Sequence, residues 1–387
     1  MFRGTDSVAP GEFSKIIAGQ GGEDNAFTSY DYTVYFEKVA VNRLPMVMQM
    51  EADRMQNLRI RNETAEPELS VVLRERQQRT DNSPDGIFIE KLQAKFMPKY
   101  PYGRPIVGWK KDIEKLSVAD AREFYNAYYA PNNAIVVISG DVKVDDVISL
   151  AAATFGRVQK RVVPRPRVFR SAPEPQEKDY TYSDARVEQP EVLWRFVAPS
   201  YATQKDIPAY AYEVLAETLD GGEVGLLYKK LVKEQGIASS VGASYDPDAR
   251  GETTFAIAAS LREGKNDEKL KEALKSVLDE ATQKGLDAAL VENAKQRLQR
   301  SAIFAREGLT MPGYSFGMAL TTGQDIADVE DWPERINAVS VDQVNAALRD
   351  LVSSKRQIVG ALLPDPKAKL KKTKAVQPVS DQGAGIR

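Results

Sequence analysis

The chain carries an internal repeat, and this repeat limits the possible folds more than any other feature. Four landmarks recur in the same order at one constant spacing of 223 residues, as from Trp109 to Trp332. Four matches at a single spacing favour duplication over chance. The sequence therefore predicts two homologous halves within its 387 residues. The landmarks are Trp109, Ile113, Leu116 and Ser117-Val118 in the first copy, and Trp332, Ile336, Val339 and Ser340-Val341 in the second.

A proline-rich segment, residues 163–178, separates the two copies. Proline removes a backbone donor and biases the preceding residue towards extended geometry, which is typical of an interdomain linker. We therefore predict a first half over residues 1–162 and a second half over residues 179–366. The basic and polar residues 367–387 are predicted to form a disordered tail. The prolines in question are Pro164, Pro166, Pro173 and Pro175.

Both copies mix strand and helix signals, which predicts an α+β fold rather than a doubly wound parallel one. Apolar residues at helical spacing predict helices over residues 44–58 and 270–281, and Gly285 is placed to end the second. Each half is expected to be a mainly antiparallel sheet flanked by helices. Apolar, β-branched and aromatic runs predict strands over residues 28–39, 134–138, 192–197, 253–259 and 357–363.

Composition excludes several classes of function. The 53 basic and 55 acidic side chains nearly cancel, so no global field favours nucleic acid. The chain has neither cysteine nor histidine, which excludes disulfides, thiolate chemistry and a serine–histidine relay. No apolar run approaches the roughly 18 residues that a membrane span requires. We expect no nucleic-acid partner and no membrane span.

Two glutamates on one predicted helix are the first candidates for chemistry. Thr64 is a possible N-cap, and Pro67 is tolerated in the first turn. Glu68 and Glu75 lie seven residues apart, which is two helical turns, so both carboxylates project from one face.

Taken alone, this helix also has an ordinary structural interpretation. Val71 and Val72 occupy intervening positions that can pack inward. Arg79 follows Glu75 by four residues and can form a helix-surface ion pair worth a few tenths of a kcal/mol. The two glutamates would then simply face water.

The start of the chain changes the balance between these interpretations. Its motifs, together with the later run Tyr100-Pro101-Tyr102-Gly103-Arg104-Pro105, resemble the pitrilysin/insulinase family of zinc peptidases over nearly the whole chain. In that family a helix with a His-x-x-Glu-His motif leads into this type of segment, and a Glu-x6-Glu helix follows. The motifs are Met1-Phe2-Arg3-Gly4-Thr5, Gly11-Glu12-Phe13 and the stretch GGEDNAFTS at residues 21–29.

The resemblance implies a zinc site to which this chain contributes only in part. It makes Glu75 the third zinc ligand and Glu68 a supporting carboxylate. The His-x-x-Glu-His helix and the strand before it are expected immediately upstream of Met1, and an assigned start that lies too late is favoured over a natural loss. Because a single glutamate does not hold zinc at useful affinity, we expect this chain alone to be catalytically incompetent.

The resemblance also implies a binding edge for substrate. Asn25, Ala26, Phe27 and Thr28 would present a strand edge to which a peptide adds as a further strand. The alternative is a plain turn that enters a strand.

A second family feature is absent from the second half. Members that work as one chain carry an Arg-x6-Tyr pair there, and Val232 and Ser239 occupy its positions. The resemblance therefore implies a zinc-bearing subunit that works with a homologous subunit supplying this pair, or else as a homodimer. Arg306 and Tyr314 could reach substrate, but a helix end and a loop are the favoured interpretation.

Two functions remain open at this stage. The first is a zinc endopeptidase that hydrolyses extended or unfolded peptides in a chamber between clamshell halves. The second is a non-catalytic peptide-binding or scaffold subunit that pairs with a catalytic homologue. Residues 1–5 lack the apolar core of a secretory signal; a signal peptide upstream would direct the protein to the periplasm, and without one it stays in the cytoplasm.

Overall fold

The computed structural model describes residues 2–165, 169–204 and 208–365. The predicted tail, residues 367–387, and residues 166–168 of the predicted linker lie outside this part of the chain. The predicted domain boundaries stay a prediction.

The first half is mainly helical and contains one hairpin. Residues 44–58, predicted to be helical, form α2, which confirms that prediction. The elements are α1 (Glu12–Gly19), β1 (Glu23–Thr28), β2 (Thr33–Lys38), α2 (Leu44–Asn57), α3 (Asn62–Arg76), α4 (Pro84–Phe96), α5 (Lys110–Ile113), α6 (Val118–Tyr128) and α7 (Val144–Ala153).

The second half contains a larger set of strands and helices. Its predicted strands and its predicted helix with Gly285 at the C-terminal end are confirmed. The elements are β3 (Asp179–Asp184), β4 (Glu191–Ala198), α8 (Ala209–Leu219), β5 (Ala238–Tyr245), β6 (Thr253–Leu261), α9 (Asp267–Lys284), α10 (Ala288–Glu307), α11 (Met311–Thr322), α12 (Ile326–Glu330), α13 (Trp332–Ala338), α14 (Val341–Ser353) and β7 (Gln357–Pro364).

The strands of the second half form a single five-stranded sheet in the order β3-β7-β4-β6-β5. Strand β3 pairs with β7 in parallel, and the other neighbours are antiparallel. Strand β4 is the centre of the sheet, between β6 and β7. One face of the sheet packs against α8, α9, α10 and α14 around a single apolar core.

The prediction of one strand over residues 28–39 is wrong in its first part. Strand β1 ends at Thr28, and the Ser29 amide donates to the Tyr32 carbonyl oxygen at 2.9 Å to close a turn. Strand β2 then pairs with β1 from Thr33 onwards. The alternation of aromatic residues runs unbroken through the turn, so the pattern by itself did not reveal it.

Residues 134–138, predicted as a strand, form no strand in the structure. The segment is extended, and three of its side chains are exposed: Ile135 at 43%, Val136 at 49% and Val137 at 38%. Its counterpart in the repeat is β7, which lies between β3 and β4. Because a strand is defined by its hydrogen-bonded neighbours, an apolar run without a neighbour stays irregular.

Each half contributes a helix that packs against the other half. Helix α4 of the first half covers the face of the second half's sheet that is turned away from the core. A Cβ atom added at Gly360 of β7 would lie 2.7 Å from the Phe88 ring and 2.6 Å from Leu92, so the close approach of α4 requires glycine. In the reverse direction, Tyr314 of α11 contacts Phe27 and Phe36 of the first half's hairpin.

The α+β class and the two-half organisation are therefore confirmed. The expectation of a mainly antiparallel sheet flanked by helices holds for the second half, where only β3 and β7 pair in parallel among the described strands. Within the described residues, the sheet of the first half has two strands, β1 and β2.

Candidate metal and substrate site

Helix α3 positions the two glutamates of interest. It begins at Asn62, two residues before the predicted N-cap Thr64, whose hydroxyl donates to the Arg61 carbonyl oxygen at 3.2 Å. The prediction of Thr64 as N-cap is therefore wrong, because this hydroxyl bonds backwards instead of accepting from the first turn. Pro67 consequently lies inside the helix and removes one of its hydrogen bonds.

Both glutamates are accessible, and both are paired with arginines. The Arg3 guanidinium donates to Glu68 Oε1, with Nε at 3.0 Å. Arg79 Nη1 lies 3.1 Å from Glu75 Oε1, which is the helix-surface pair that the sequence allowed. The Glu68 and Glu75 side chains are 41% and 42% exposed.

The stripe of α3 that carries these carboxylates is not covered by other elements. Glu68, Val71, Val72 and Glu75 follow the i, i+3, i+4, i+7 spacing of one helical face. Val71 is 43% exposed, so the expectation that it packs inward is wrong. Both carboxylates, although paired with arginines, are therefore partly exposed to solvent.

The repeat shows what covers this stripe in the second half. At the spacing of 223 residues, Glu68 corresponds to Val291, Val71 to Ala294 and Glu75 to Leu298 of α10. Val291 and Ala294 are buried, Leu298 packs on the same core, and α10 packs against α8. The Glu68–Glu75 stripe thus faces the position that α8 occupies in the other half.

Other residues around this position are exposed for the same reason. Phe124 of α6 is 58% exposed and Tyr128 is 40% exposed, whereas their counterparts Ala347 and Leu351 in α14 are buried next to α8. The Phe124 and Tyr128 rings lie 4.6 Å apart, and α6 contacts α3. We call these two residues and the exposed Val71 of α3 the open surface of the first half. It is apolar, and the two carboxylates of α3 border it.

The residues present do not by themselves fit a zinc site. Structural and catalytic zinc sites use at least three protein ligands, and this chain has no histidine or cysteine. Among the residues that the structure describes, no three acidic side chains converge in a way that could hold a metal ion. Glu75 is at most one ligand of a site completed by other groups.

The predicted substrate edge is a real strand edge. Residues 25–28 belong to β1, so the alternative of a plain turn is wrong. Strand β1 pairs with β2 on one side, and no described strand pairs with its other side. The Phe27 side chain is 38% exposed, and its ring contacts the rings of Tyr32 and Tyr314.

Two pairs of candidate residues in the second half have ordinary surroundings. Val232 is buried in the core, and the Ser239 hydroxyl bonds Gln189 and the Ser260 carbonyl oxygen, so neither replaces an arginine or a tyrosine at a site. Arg306 lies in the last turn of α10, which agrees with its interpretation as a helix end. Tyr314 lies in α11, so the expectation of a loop there is wrong.

A junction between the halves was not found from the sequence. The Asp31 carboxylate, in the turn after β1, accepts from the Tyr102 hydroxyl at 2.5 Å and from the Arg250 amide at 3.1 Å. The Gly251 amide donates to the Tyr102 oxygen at 3.0 Å. Burial and this carboxylate raise the pKa of Tyr102 above its usual range. The junction fixes the end of the substrate edge onto the second half.

The fold defines a class, that of two-half α+β proteins. Residues 1–110 match the family described as Insulinase (Peptidase family M16), and residues 115–298 match the family described as Peptidase M16 inactive domain. The chain therefore belongs to the M16, or insulinase, family.

Similar proteins include named zinc proteases. The chain is 28% identical over 294 residues to zinc protease PqqE of Helicobacter pylori, covering 74% of this chain and 65% of that protein. It is 26% identical over 357 residues to an uncharacterised zinc protease of Mycobacterium tuberculosis, covering 91% of this chain and 80% of that protein.

Solved structures support the fold alone. A protease from Helicobacter pylori superposes with a TM-score of 0.85 at 24% identity, covering 93% of this chain and 87% of that one. A peptidase M16 inactive domain from Pseudomonas fluorescens superposes with a TM-score of 0.81 at 17% identity, covering 94% of this chain and 86% of that one.

Among the helices of the described residues, none combines the length and the apolar character that a membrane span requires.

Proposed function

We propose that this chain is the Glu75-bearing part of a zinc-dependent endopeptidase that acts on extended or unfolded peptides. In this proposal Glu75 is one zinc ligand and Glu68 supports it. Two further ligands come from a helix at the α8-like position of the first half. The described residues alone do not hydrolyse peptides.

One observation carries the proposal. The face of α3 that bears Glu68 and Glu75 is the face whose counterpart in α10 packs against α8. A helix at the equivalent position in the first half would lie against both carboxylates. Two ligands one or two helical turns apart on such a helix would project from one face towards Glu75. Together with Glu75 they would give the three ligands that a zinc site requires.

The open edge of β1 supports the peptide part of the proposal. Extended peptides add to exposed sheet edges through main-chain hydrogen bonds, and alternate side chains meet the surface. Asn25, Ala26, Phe27 and Thr28 would supply this edge. Because Asp31 anchors the adjoining turn to the second half, the edge is held between the halves.

The test measures zinc in protein purified from its native locus. We expect about one zinc per chain, removed by a chelator together with peptidase activity. Glu75→Gln should lower zinc content at least tenfold, since a neutral amide is a weak ligand. Glu66→Gln, an exposed glutamate of the same helix with no partner in the described residues, should leave it unchanged. Protein without zinc and without activity contradicts the proposal.

A second candidate is a non-catalytic peptide-binding or scaffold subunit. Two observations favour it: the described residues contain no metal-binding cluster, and residues 115–298 match the inactive domain of the family. Native protein that binds peptides but lacks zinc would support this candidate over the first.

We further propose that the working form includes a homologous partner subunit, or a second copy of this chain. Val232 and Ser239 supply neither a cation nor a phenol at the substrate site, so those groups would come from a partner. Full activity of the purified native chain as a monomer contradicts this part.

A further inference from the structure

Arg195 lies at the border between the covered and the open part of the second half's sheet. It is directly opposite Ile358 of β7 on one side and Ala256 of β6 on the other. Directly opposite residues share one face of a sheet. Ile358 is fully buried under α4, whereas Ala256 is partly exposed and its neighbour on that face, Ala258, is exposed. The small alanines leave space beside the guanidinium.

The Arg195 guanidinium has no carboxylate partner among the described residues. Nη1 donates to the Gln93 side-chain oxygen of α4, and the buried Nε has no acceptor. The Tyr30 phenol is near enough to influence the charge of the guanidinium. Burial lowers the pKa of Arg195 to about 10, which still leaves it charged at neutral pH.

Other buried arginines of this chain are paired. Arg76 Nη1 lies 2.7 Å from the Glu90 carboxylate, and Arg54 forms an ion pair with Glu51. Enclosing a charge without a counter-ion costs several kcal/mol, and a structural arginine avoids this cost by pairing. Unlike Arg54 and Arg76, Arg195 has no carboxylate partner among the described residues.

The position of Arg195 connects it to the substrate edge. Tyr30 follows β1 by two residues and stacks on Tyr102, which is bonded to Asp31. The Gln93 side chain, whose oxygen accepts from Arg195, donates through Nε2 to the Tyr102 carbonyl oxygen at 2.8 Å, so Gln93 and Tyr102 connect the guanidinium to this turn. A peptide added along β1 would extend towards the same turn. Guanidinium groups bind carboxylates through two parallel hydrogen bonds.

We propose that Arg195 binds a carboxylate of the bound peptide, which gives the chain a preference for acidic peptides. This inference rests on the proposed peptide binding but requires neither zinc nor hydrolysis. The carboxylate belongs to an aspartate or glutamate side chain or to the peptide C-terminus, and the experiment separates the two sources.

The test is fluorescence anisotropy with labelled, extended peptides and the full chain. One set replaces aspartate by asparagine within a fixed sequence, and the other replaces the free C-terminus by an amide. We expect about tenfold weaker binding when the relevant carboxylate is removed, as for a charged hydrogen bond. The set that shows the loss identifies the source.

Substitution of the arginine should remove the preference. Arg195→Met is expected to bind acidic and neutral peptides with equal affinity. Arg300→Met, at an exposed arginine of α10 without a partner in the described residues, is expected to keep the preference of the unchanged chain.

Thermal unfolding separates binding from a structural role. A ligand-binding Arg195 costs free energy in the unbound chain, so Arg195→Met should unfold at the same or a higher temperature. A lower unfolding temperature together with an unchanged preference overturns the inference. Equal binding of acidic and neutral peptides by the unchanged chain overturns the inference alone, whereas binding of no peptide overturns the proposed function as well.

Discussion

The two halves carry the same local sequence signals but differ in how completely they are packed. In the second half, β4 pairs with both β6 and β7, and α8 fills the space beneath the sheet. In the first half, β2 and residues 134–138 have no described strand between them, and none of the described helices covers the open surface. The same type of apolar segment is a strand in one half and irregular in the other.

This comparison shows that a strand and a helix near the centre of a domain determine whether residues far along the chain are paired and buried. β7 follows β4 by more than 150 residues, yet it pairs with β4 along most of its length. Glu75 is accessible because no described helix covers this face of α3, whereas Leu298 is packed because α10 lies against α8. The difference in packing therefore creates the candidate site.

The largest expected difference between the halves concerns one matched pair of isoleucines. Ile358 is fully buried, and Ile135, its counterpart in the repeat, is 43% exposed. Ile358→Ala should lower the free energy of unfolding by about 2–5 kcal/mol, and Ile135→Ala by less than about 1 kcal/mol. Urea unfolding of both variants beside the unchanged chain measures this. Equal losses would show that Ile135 is as buried as Ile358 in solution.

The repeated tryptophans should differ less strongly. Trp332 Nε1 donates to Tyr201 at 3.0 Å and to Glu213 at 3.2 Å, whereas Trp109 has no hydrogen bond through its indole in the described part of the chain. Trp332→Phe should cost about 1–3 kcal/mol because it removes a buried donor. Trp109→Phe is the matched control and should cost less. A larger loss at Trp109 would contradict the difference in packing.

The pH dependence of stability should reveal the buried carboxyl of the second half. Burial raises the pKa of Glu213 to about 8, from an ordinary value of 4.5. Between these values the folded chain holds a proton that the unfolded chain has released. Stability therefore falls as pH rises through this window, by roughly 1.4 kcal/mol per pH unit from this group.

Unfolding midpoints measured across this pH range check the expectation. Glu213→Gln should flatten the dependence. Glu37 of the first half, whose pKa is also raised to about 8 by burial and by Glu51, acts in the same direction, so Glu37→Gln is the matched variant for the other half. An unchanged slope in Glu213→Gln would show that this carboxyl is ionised in the folded state.

The smallest effect should be equal in both halves. Ser117 and Ser340, at corresponding positions, each cap a helix and accept from a backbone amide at 3.2 Å within a capping box. Ser117→Ala and Ser340→Ala should each cost about 1 kcal/mol, measured by thermal unfolding. A clear inequality would mean that packing, rather than the local cap, controls these helix ends.

Part of the fold and site was predictable from the sequence, because those parts depend on nearby residues. The stripe Leu270, Leu274, Val277, Leu278 and Ala281 predicted α9, and all five side chains are buried. The Glu68–Glu75 spacing predicted one helical face, since both residues belong to α3. The turn at Ser29–Tyr32 and the absence of a strand at residues 134–138 were not predictable from pattern.

The junction and Arg195 were also beyond the sequence. Asp31, Tyr102 and Gly251 are distant in the chain and meet only because the halves pack together. In the sequence, Arg195 is one polar residue in the alternating pattern of a strand. Its lack of a counter-ion becomes evident only when the surrounding side chains are placed.

The sequence alone determined the two-half plan, the α+β class, the helices α2, α3 and α9, and the pair of glutamates on one helical face. These depend on periodicity and capping, which act within a few residues. The tertiary structure alone decided which apolar segments are strands, which face of α3 stays open and that Arg195 has no carboxylate partner among the described residues. Hydrogen bonds between strands, burial and charge pairing join residues that are distant along the chain, so a local pattern does not contain them.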